Sequence, residues 1–294
     1  MGATLCIAGK GQAAVEVVGA SRRLADRVVC LPNGDDGGTD NWQPSLLKAA
    51  RILGVETVTL DWARAQPDLV FMSVEYDRII KPALFASKRL YNVHFSLLPK
   101  YRGCNTAIWP ILNGESEHGV TLHEIDTGID TGPIIAQRAF DIGGMTSRQL
   151  YGRCLELGAA LVLEWLPKLM GGDYAATPQD EAAASNYPRK ALDYGLMEID
   201  LSEPVEAVMR RIRAFTFPEY QRPTFNGRPI VGAESEFGRV PVDDRDGSAR
   251  SLLVAAADGV IRLHVQLESN VVKAGSPGLI RTGGRPINSR MLYR

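Results

Sequence analysis

Cysteine is scarce: Cys6, Cys30, Cys104 and Cys154 are the four in 294 residues, and no two share a C-x-x-C spacing. That excludes a zinc ribbon and the stapled framework of a small secreted domain, and fits packing thiols in a reduced compartment. No stretch approaches the ~18 apolar residues of a membrane helix. The first residues lack the charged and apolar segments of a secretory leader, and Cys6 stands where a myristoylation start needs Ser or Thr. A soluble, cytoplasmic protein is expected. Neither sign of charge is in excess: Lys+Arg 33 against Asp+Glu 34 give a net charge of -1, so no bulk field draws the chain to nucleic acid or an anionic membrane. The histidines, among them His118, His123 and His264, show no metal-ligand spacing, and no metal is expected. A G-x-S-x-G elbow, a Walker A loop and internal repeats are all missing.

What is present is rhythm. Apolar runs at Thr4 to Ala8, Arg27 to Pro32, Thr57 to Asp61, Leu69 to Ser73 and Leu90 to His94 alternate with helical spacing at Ala14, Val17, Val18 and Leu24 and again from Leu46 to Leu53. Gly119 to Ile125 and Pro133 to Phe140 add two strands around a tight "DTGIDTG" connection. Thr146 with Gln149 three later predicts a capped helix that runs to Gly171-Gly172. The pattern predicts an α/β fold, a doubly wound, mostly parallel, Rossmann-like sheet over residues 1–172. Residues 173–200, rich in Ala, Ser, Asp and Pro, read as a linker. Residues 201–294 read as a smaller domain: a helix carrying Val205, Val208, Met209 and Ile212, then mainly β structure with hairpin turns at Asn226-Gly227 and Asp258-Gly259.

The chemistry gathers at one strand end. Asn92 and His94 lie two apart and so project from the same face. An amide donor beside an imidazole is what acyl transfer asks for: one steadies the developing oxyanion, the other takes a proton. On a strand the pair is also compatible with a structural role. The Asp126 to Gly132 loop repeats D-T-G, more than a hairpin turn needs, and a carboxylate there would orient the ring and favour its protonated form. Ser96 is followed by Leu97-Leu98-Pro99, which reads as a wall and not as a nucleophile elbow. The attacking group then belongs to the substrate, most simply an amine. A rival site is Gly9-Lys10-Gly11-Gln12-Ala13-Ala14, a G-x-G-x-x-A dinucleotide fingerprint with Asp35-Asp36 as ribose acids; the competing reading is a tight turn for helix-sheet packing.

Three runs, "NVHFSLLPKYRG", "AIWPILNGE" and "GVTLHEIDTGIDTGPIIAQ", cover Asn92 to Gln137 and resemble the folate-dependent formyltransferase family, which includes glycinamide ribonucleotide transformylase, methionyl-tRNA formyltransferase and the sugar N-formyltransferases. Weaker similarity runs back through "VFMSVEYDRIIKP". The resemblance implies N10-formyltetrahydrofolate as formyl donor and Asn92, His94 and Asp130 as the catalytic set. It also implies a pterin held between the Tyr76, Asp77, Arg78, Ile79 and Ile80 loop, with Ile80 as an apolar wall, and the loop of Asp126 and Gly128. Thr127-Gly128 and Gly132-Pro133 depart from the family's usual acidic Glu-Gly and Gly-Asp, which bears on folate affinity and not on the three catalytic positions.

"IRAFTFPEYQRP", Ile212 to Pro223, looks like the segment with which sugar N-formyltransferases enclose a nucleotide-linked aminodeoxysugar. On that resemblance Phe217 and Tyr220 stack on base or sugar, and Lys10, Lys100, Tyr101, Arg102 and Gly103 meet the substrate, the cations at its diphosphate. A dTDP- or GDP-linked sugar is the expected substrate, and a homodimer joined through the C-terminal β unit the expected assembly. The alternatives are hydroxyornithine or methionyl-tRNA as acceptor, the latter disfavoured by the near-neutral charge, and a non-catalytic dinucleotide-binding module.

Overall fold

The computed structural model describes residues 3–245 and 247–266. Within them the chain divides into two compact units, 3–143 with 148–192, and 144–147 with 193–266. The expected C-terminal domain runs to 294, and its part beyond 266 lies outside the described residues.

The first unit is built on β1 (Thr4–Gly9), α1 (Gly11–Ser21), β2 (Arg27–Pro32), α2 (Leu46–Leu53), β3 (Glu56–Thr57), α3 (Leu60–Ala65), β4 (Leu69–Val74), β5 (Arg89–His94), β6 (Arg102–Gly103), α4 (Trp109–Leu112), β7 (Glu117–Glu124), β8 (Ile134–Asp141), α5 (Ser147–Gly171) and β9 (Asn186–Tyr187). Seven strands form one sheet in the order β3-β2-β1-β4-β5-β7-β8. Pairing is parallel from β3 to β5 and antiparallel at β5/β7 and β7/β8. The central strands are apolar on both faces. Cys6, Ala8, Leu69 and Phe71 share one core with Leu60 and Ala63 of α3, while Leu5, Ile7, Val70 and Met72, which alternate with them, are also fully buried. That two-sided burial is what a doubly wound sheet requires. No helix among the described residues is long and apolar enough to cross a membrane.

Strand order reverses between β1 and β4, and there the two backbones leave no room for a side chain. A Cβ on Gly9 would lie 1.7 Å from the carbonyl oxygen of Val74. Gly9→Ala is therefore expected to destabilise the protein by about 3 kcal/mol or more through overpacking and backbone strain, seen as a lower urea midpoint with an unchanged m value.

Two expectations are corrected. Thr57 to Asp61 is not a strand: only Glu56 and Thr57 pair with β2, at the sheet edge, and Thr59 then turns its hydroxyl to accept from Trp62 N and cap α3. The supposed linker is divided. Residues 173–192 belong to the first unit, where Thr177 exchanges two 2.8 Å hydrogen bonds with Ile134 and β9 pairs with β6. This strap shows no hydrophobic period because it is held by backbone pairing and by polar side chains such as Gln179 and Glu181.

In the second unit α6 (Val205–Phe215) turns Val205, Val208, Met209 and Ile212 onto a β-sheet with Ile230, Ala233, Ile261, Leu263 and Val265 in one core. The sheet comprises β10 (Thr224–Phe225), β11 (Arg228–Ser235), β12 (Gly238–Val240), β13 (Ala249–Ala255) and β14 (Val260–Gln266), and its pairs are antiparallel. Asn226 and Gly227 both have positive φ between β10 and β11, the two-residue turn that their sequence demands. Asp258, in the β13–β14 turn, accepts the Val205 N–H at the start of α6.

Candidate active site

β5 lies between β4 and β7, with Ser73 beside Asn92 on one side and His123 opposite Asn92 on the other. The β7–β8 loop carries Asp130 back over this strand end. Its carboxylate stands 3.6 Å from His94 Nδ1 and 3.5 Å from Asn92 Nδ2, and Gly103 N–H donates to its Oδ2 at 2.9 Å. The three residues singled out in the sequence thus converge. His94 is 8 % exposed. Its Nε2 lies 2.8 Å from the Tyr101 carbonyl, which can only accept, so Nε2 carries the hydrogen. Nδ1 is left as the basic atom, facing Asp130. Once Nδ1 takes a proton, both ring N–H groups have an oxygen in front of them.

The repeated D-T-G divides its labour. Asp126 ties its own loop, accepting from Gly128 N at 3.0 Å and from the Thr131 hydroxyl at 2.6 Å. Asp130 faces the strand end. The rest of the Asn92 surroundings come from His123, read from sequence as structural or solvated. Its Nδ1 donates to the Glu124 carbonyl at 2.7 Å, which makes Nε2 an acceptor for Asn92 Nδ2 at 3.1 Å. Burial pushes His123 down to about 4, against the pull of Asp130 3.8 Å away, and burial likewise brings His118 down to about 4. Both rings stay neutral in the fold and charge when it opens. Because the unfolded chain binds more protons, stability falls as pH drops from 6.5 towards 4. His123→Gln is expected to reduce by one the protons taken up on unfolding in that window, read from the slope of unfolding free energy against pH.

A second feature that sequence reasoning missed is Glu75, one residue past β4 at the strand-order reversal. It has φ 60, and its carboxylate accepts from the Tyr151 hydroxyl at 2.6 Å, itself a partner of Gln43. Burial raises it to about 7, opposed by that hydrogen bond and by Lys10. "SVEY" reads only as a strand running on, so nothing local marks it.

The 76–80 loop, expected to line a pterin, splits by exposure. Ile80 is buried in the core with Phe71, Phe85 and Leu90, and Tyr76 and Ile125 pack against that core. Ile79 and Arg78 are exposed. Asp77 is tied to the segment just past β2 through Gly34 N and Asn33, yet its buried Oδ1 has no protein partner.

The expected substrate contacts near β6 need correction. Arg102 is 3 % exposed, and its guanidinium is held by Gln179 and Glu181 at 2.7–3.1 Å, so it is not free for a diphosphate. Tyr101 is buried, stacked on Tyr187, with its hydroxyl donating to Glu115 and accepting from Asn113. Lys100 makes a half-exposed pair with Glu115 at 3.5 Å. Gly103 serves Asp130, and its own Cβ would meet the Tyr187 carbonyl at 2.5 Å. Lys10 precedes α1 at the same strand-order reversal as Glu75. Phe217 and Tyr220 lie in the second unit, their ring centroids 5.0 Å apart.

The rival dinucleotide motif resolves into packing. Gly9 admits β4, Gly11 abuts Gln43, and Asp36 accepts from Gly38 N, Ser45 Oγ and Leu47 N at the start of α2. Asp35 is exposed. Ser96 is fully buried with its hydroxyl donating to Lys100 O. Among the described residues no His, Cys, Asp and Glu cluster is arranged for a metal.

An imidazole with a free ring nitrogen, an amide donor and a carboxylate at a strand end of a doubly wound sheet form an arrangement suited to group transfer onto a nucleophile brought by the substrate. Comparison with known proteins gives that class its name. Residues 40–166 match the formyl transferase family. The N-formyltransferase of Helicobacter canadensis, solved with folinic acid and dTDP-3-aminofucose, is 35% identical with a TM-score of 0.78, over 89% of this chain and 98% of that one. WlaRD, a sugar 3N-formyl transferase solved with dTDP and 5-N-formyl-THF, is 35% identical with a TM-score of 0.80, over 91% and 99%. A methionyl-tRNA formyltransferase of Cyanothece sp. is 35% identical over 195 residues, 64% of this chain and 54% of its own length. This chain spans about half the length of the curated relatives it matches. It belongs to the formyl transferase family.

Proposed function

We propose that this protein transfers the formyl group of N10-formyltetrahydrofolate to the amine of a nucleotide-linked aminodeoxysugar, most simply one carried on dTDP. The convergence of Asn92, His94 and Asp130 on one strand end carries the reading. When bound, the folate supplies an activated formyl group and a nitrogen leaving group. His94 Nδ1 takes the proton that the amine sheds as it bonds to the formyl carbon. Asp130 holds the resulting imidazolium, and the Tyr101 carbonyl keeps the ring in register. Asn92 Nδ2 then turns one N–H to the charge growing on the formyl oxygen. The proton on His94 leaves with the departing folate nitrogen, which restores the base.

The residues present fit a reduced folate. Tyr76 and Ile125 offer an apolar edge over the core, and the orphan Asp77 Oδ1 and the 126–130 loop offer polar atoms for a pterin amide edge. The sugar reading is supported by the match over 98% and 99% of two sugar enzymes, against 54% of the methionyl-tRNA enzymes. Pairing of two copies through the second unit belongs to the same proposal, and a light-scattering mass of one chain at working concentration would count against it.

The test is direct: purified protein with N10-formyltetrahydrofolate and separate dTDP-aminosugars, GDP-aminosugars, hydroxyornithine and charged initiator tRNA, followed by mass spectrometry. A gain of about 28 Da, the mass of an added carbonyl, on a dTDP-aminosugar is expected. Formyl gain on methionyl-tRNA alone would replace the sugar reading.

A further inference from the structure

The catalytic carboxylate sits on a backbone that ordinary side chains avoid. Asp130 has φ 55, in the left-handed region, and such a residue keeps that conformation only when its surroundings over-determine it. Two groups do so. Gly103 N–H holds the carboxylate at 2.9 Å, and the side-chain amide of Gln179 donates to the carbonyls of both Asp130 and Gly132 at 2.8 Å.

Gln179 is itself fully committed. Its Oε1 accepts from Arg102 Nε at 3.1 Å and Nη2 at 2.8 Å, so both amide hydrogens and both oxygen lone pairs are used. The orientation of the amide follows from its neighbours. Turned over, it would set NH2 against a guanidinium and oxygen against two carbonyls. Arg102 is fixed in turn by Glu181, with Nη1 and Nη2 at 2.9 Å and 2.7 Å from its two oxygens. The Arg102 backbone N–H is held by Ser185 O, in the same strap as Gln179 and Glu181. Gln179 lies outside the 40–166 region that matches the formyl transferase family.

We propose that Gln179 is a positioning residue for the transfer reaction: it fixes the Asp130 loop in its left-handed turn and keeps the carboxylate beside His94, with Arg102 and Glu181 holding Gln179 in place. The inference rests on the reading of Asp130 as catalytic. A role in mere cohesion of the strap would affect folding alike whether or not Asp130 is there. Positioning acts through Asp130 and vanishes without it.

A double-mutant cycle separates the two. Gln179→Ala and Gln179→Glu are measured in the wild-type and Asp130→Ala backgrounds, by steady-state formyl transfer over a range of amine concentrations and by thermal unfolding. Gln179→Glu keeps an acceptor for Arg102 and loses both donors to the loop. In the wild-type background both substitutions are expected to lower kcat by about tenfold to a hundredfold, the scale of a misplaced catalytic group, with KM for the amine little changed. In the Asp130→Ala background they should cost nothing further. An equal loss in both backgrounds, or full activity in Gln179→Glu, would overturn the proposal while the Asp130 reading stands. Full activity of Asp130→Ala alone would instead remove that reading, and the inference with it.

Discussion

His94→Asn is expected to lower kcat by roughly a hundredfold to ten-thousandfold, the usual worth of a positioned general base, while the protein stays folded at a stability lower by about 1 kcal/mol. Asn is shorter than His, so its amide falls short of the Tyr101 carbonyl that Nε2 reaches, and it has no basic nitrogen to present to the amine. Nδ1 is the atom at stake, since Nε2 is spent on that carbonyl at 2.8 Å. The loss should fall on kcat, because the ring takes its proton as the new bond forms and does little for the resting substrate. Two results would sink the assignment: turnover within a few fold of wild type, or a loss seen wholly in KM. Stopped-flow transfer over a range of amine concentrations distinguishes them.

Asp130 should behave differently according to what replaces it. Asp130→Asn keeps a side chain that tolerates φ 55 and an oxygen for the Gly103 N–H, removes the charge, and sets an NH2 where an oxygen faced Asn92. Its expected loss, about a hundredfold in kcat, then measures what the carboxylate does for a protonated His94. Asp130→Ala also gives up the Gly103 bond and suits the left-handed turn less well, so its activity should fall at least as far and its stability by about 1–2 kcal/mol. Equal activity of Asp130→Asn and wild type would show that the charge is idle. A urea titration of both variants reports the stability difference.

Much of this was legible because it is local. Asn92 and His94 are two residues apart on a strand, and the parity of the β pleat alone put them on one face. The parallel sheet, the long helix α5 and the Asn226-Gly227 hairpin were readable from period and turn chemistry for the same reason. What was hidden depends on partners far along the chain. Arg102 beside the motif looked like a phosphate contact, and only its bonds to Gln179 and Glu181, nearly eighty residues on, show that it is occupied. His123 looked like one more strand residue until its register against Asn92 was known. Glu75 leaves no mark in composition, because burial and a positive φ are properties of its surroundings. Thr57 to Asp61 had the residues of a strand, but Thr59 found a helix to cap.

The strap formed by residues 173–192 bears on how such enzymes can be rebuilt. Joining the sheet of one family member to the second unit of another at Gly172, where composition invites a cut, would import a foreign Gln179, Glu181 and Ser185 against the native Arg102. A graft made after Leu192 carries the brace with the carboxylate that it supports, and is the junction at which swapped specificity need not cost rate.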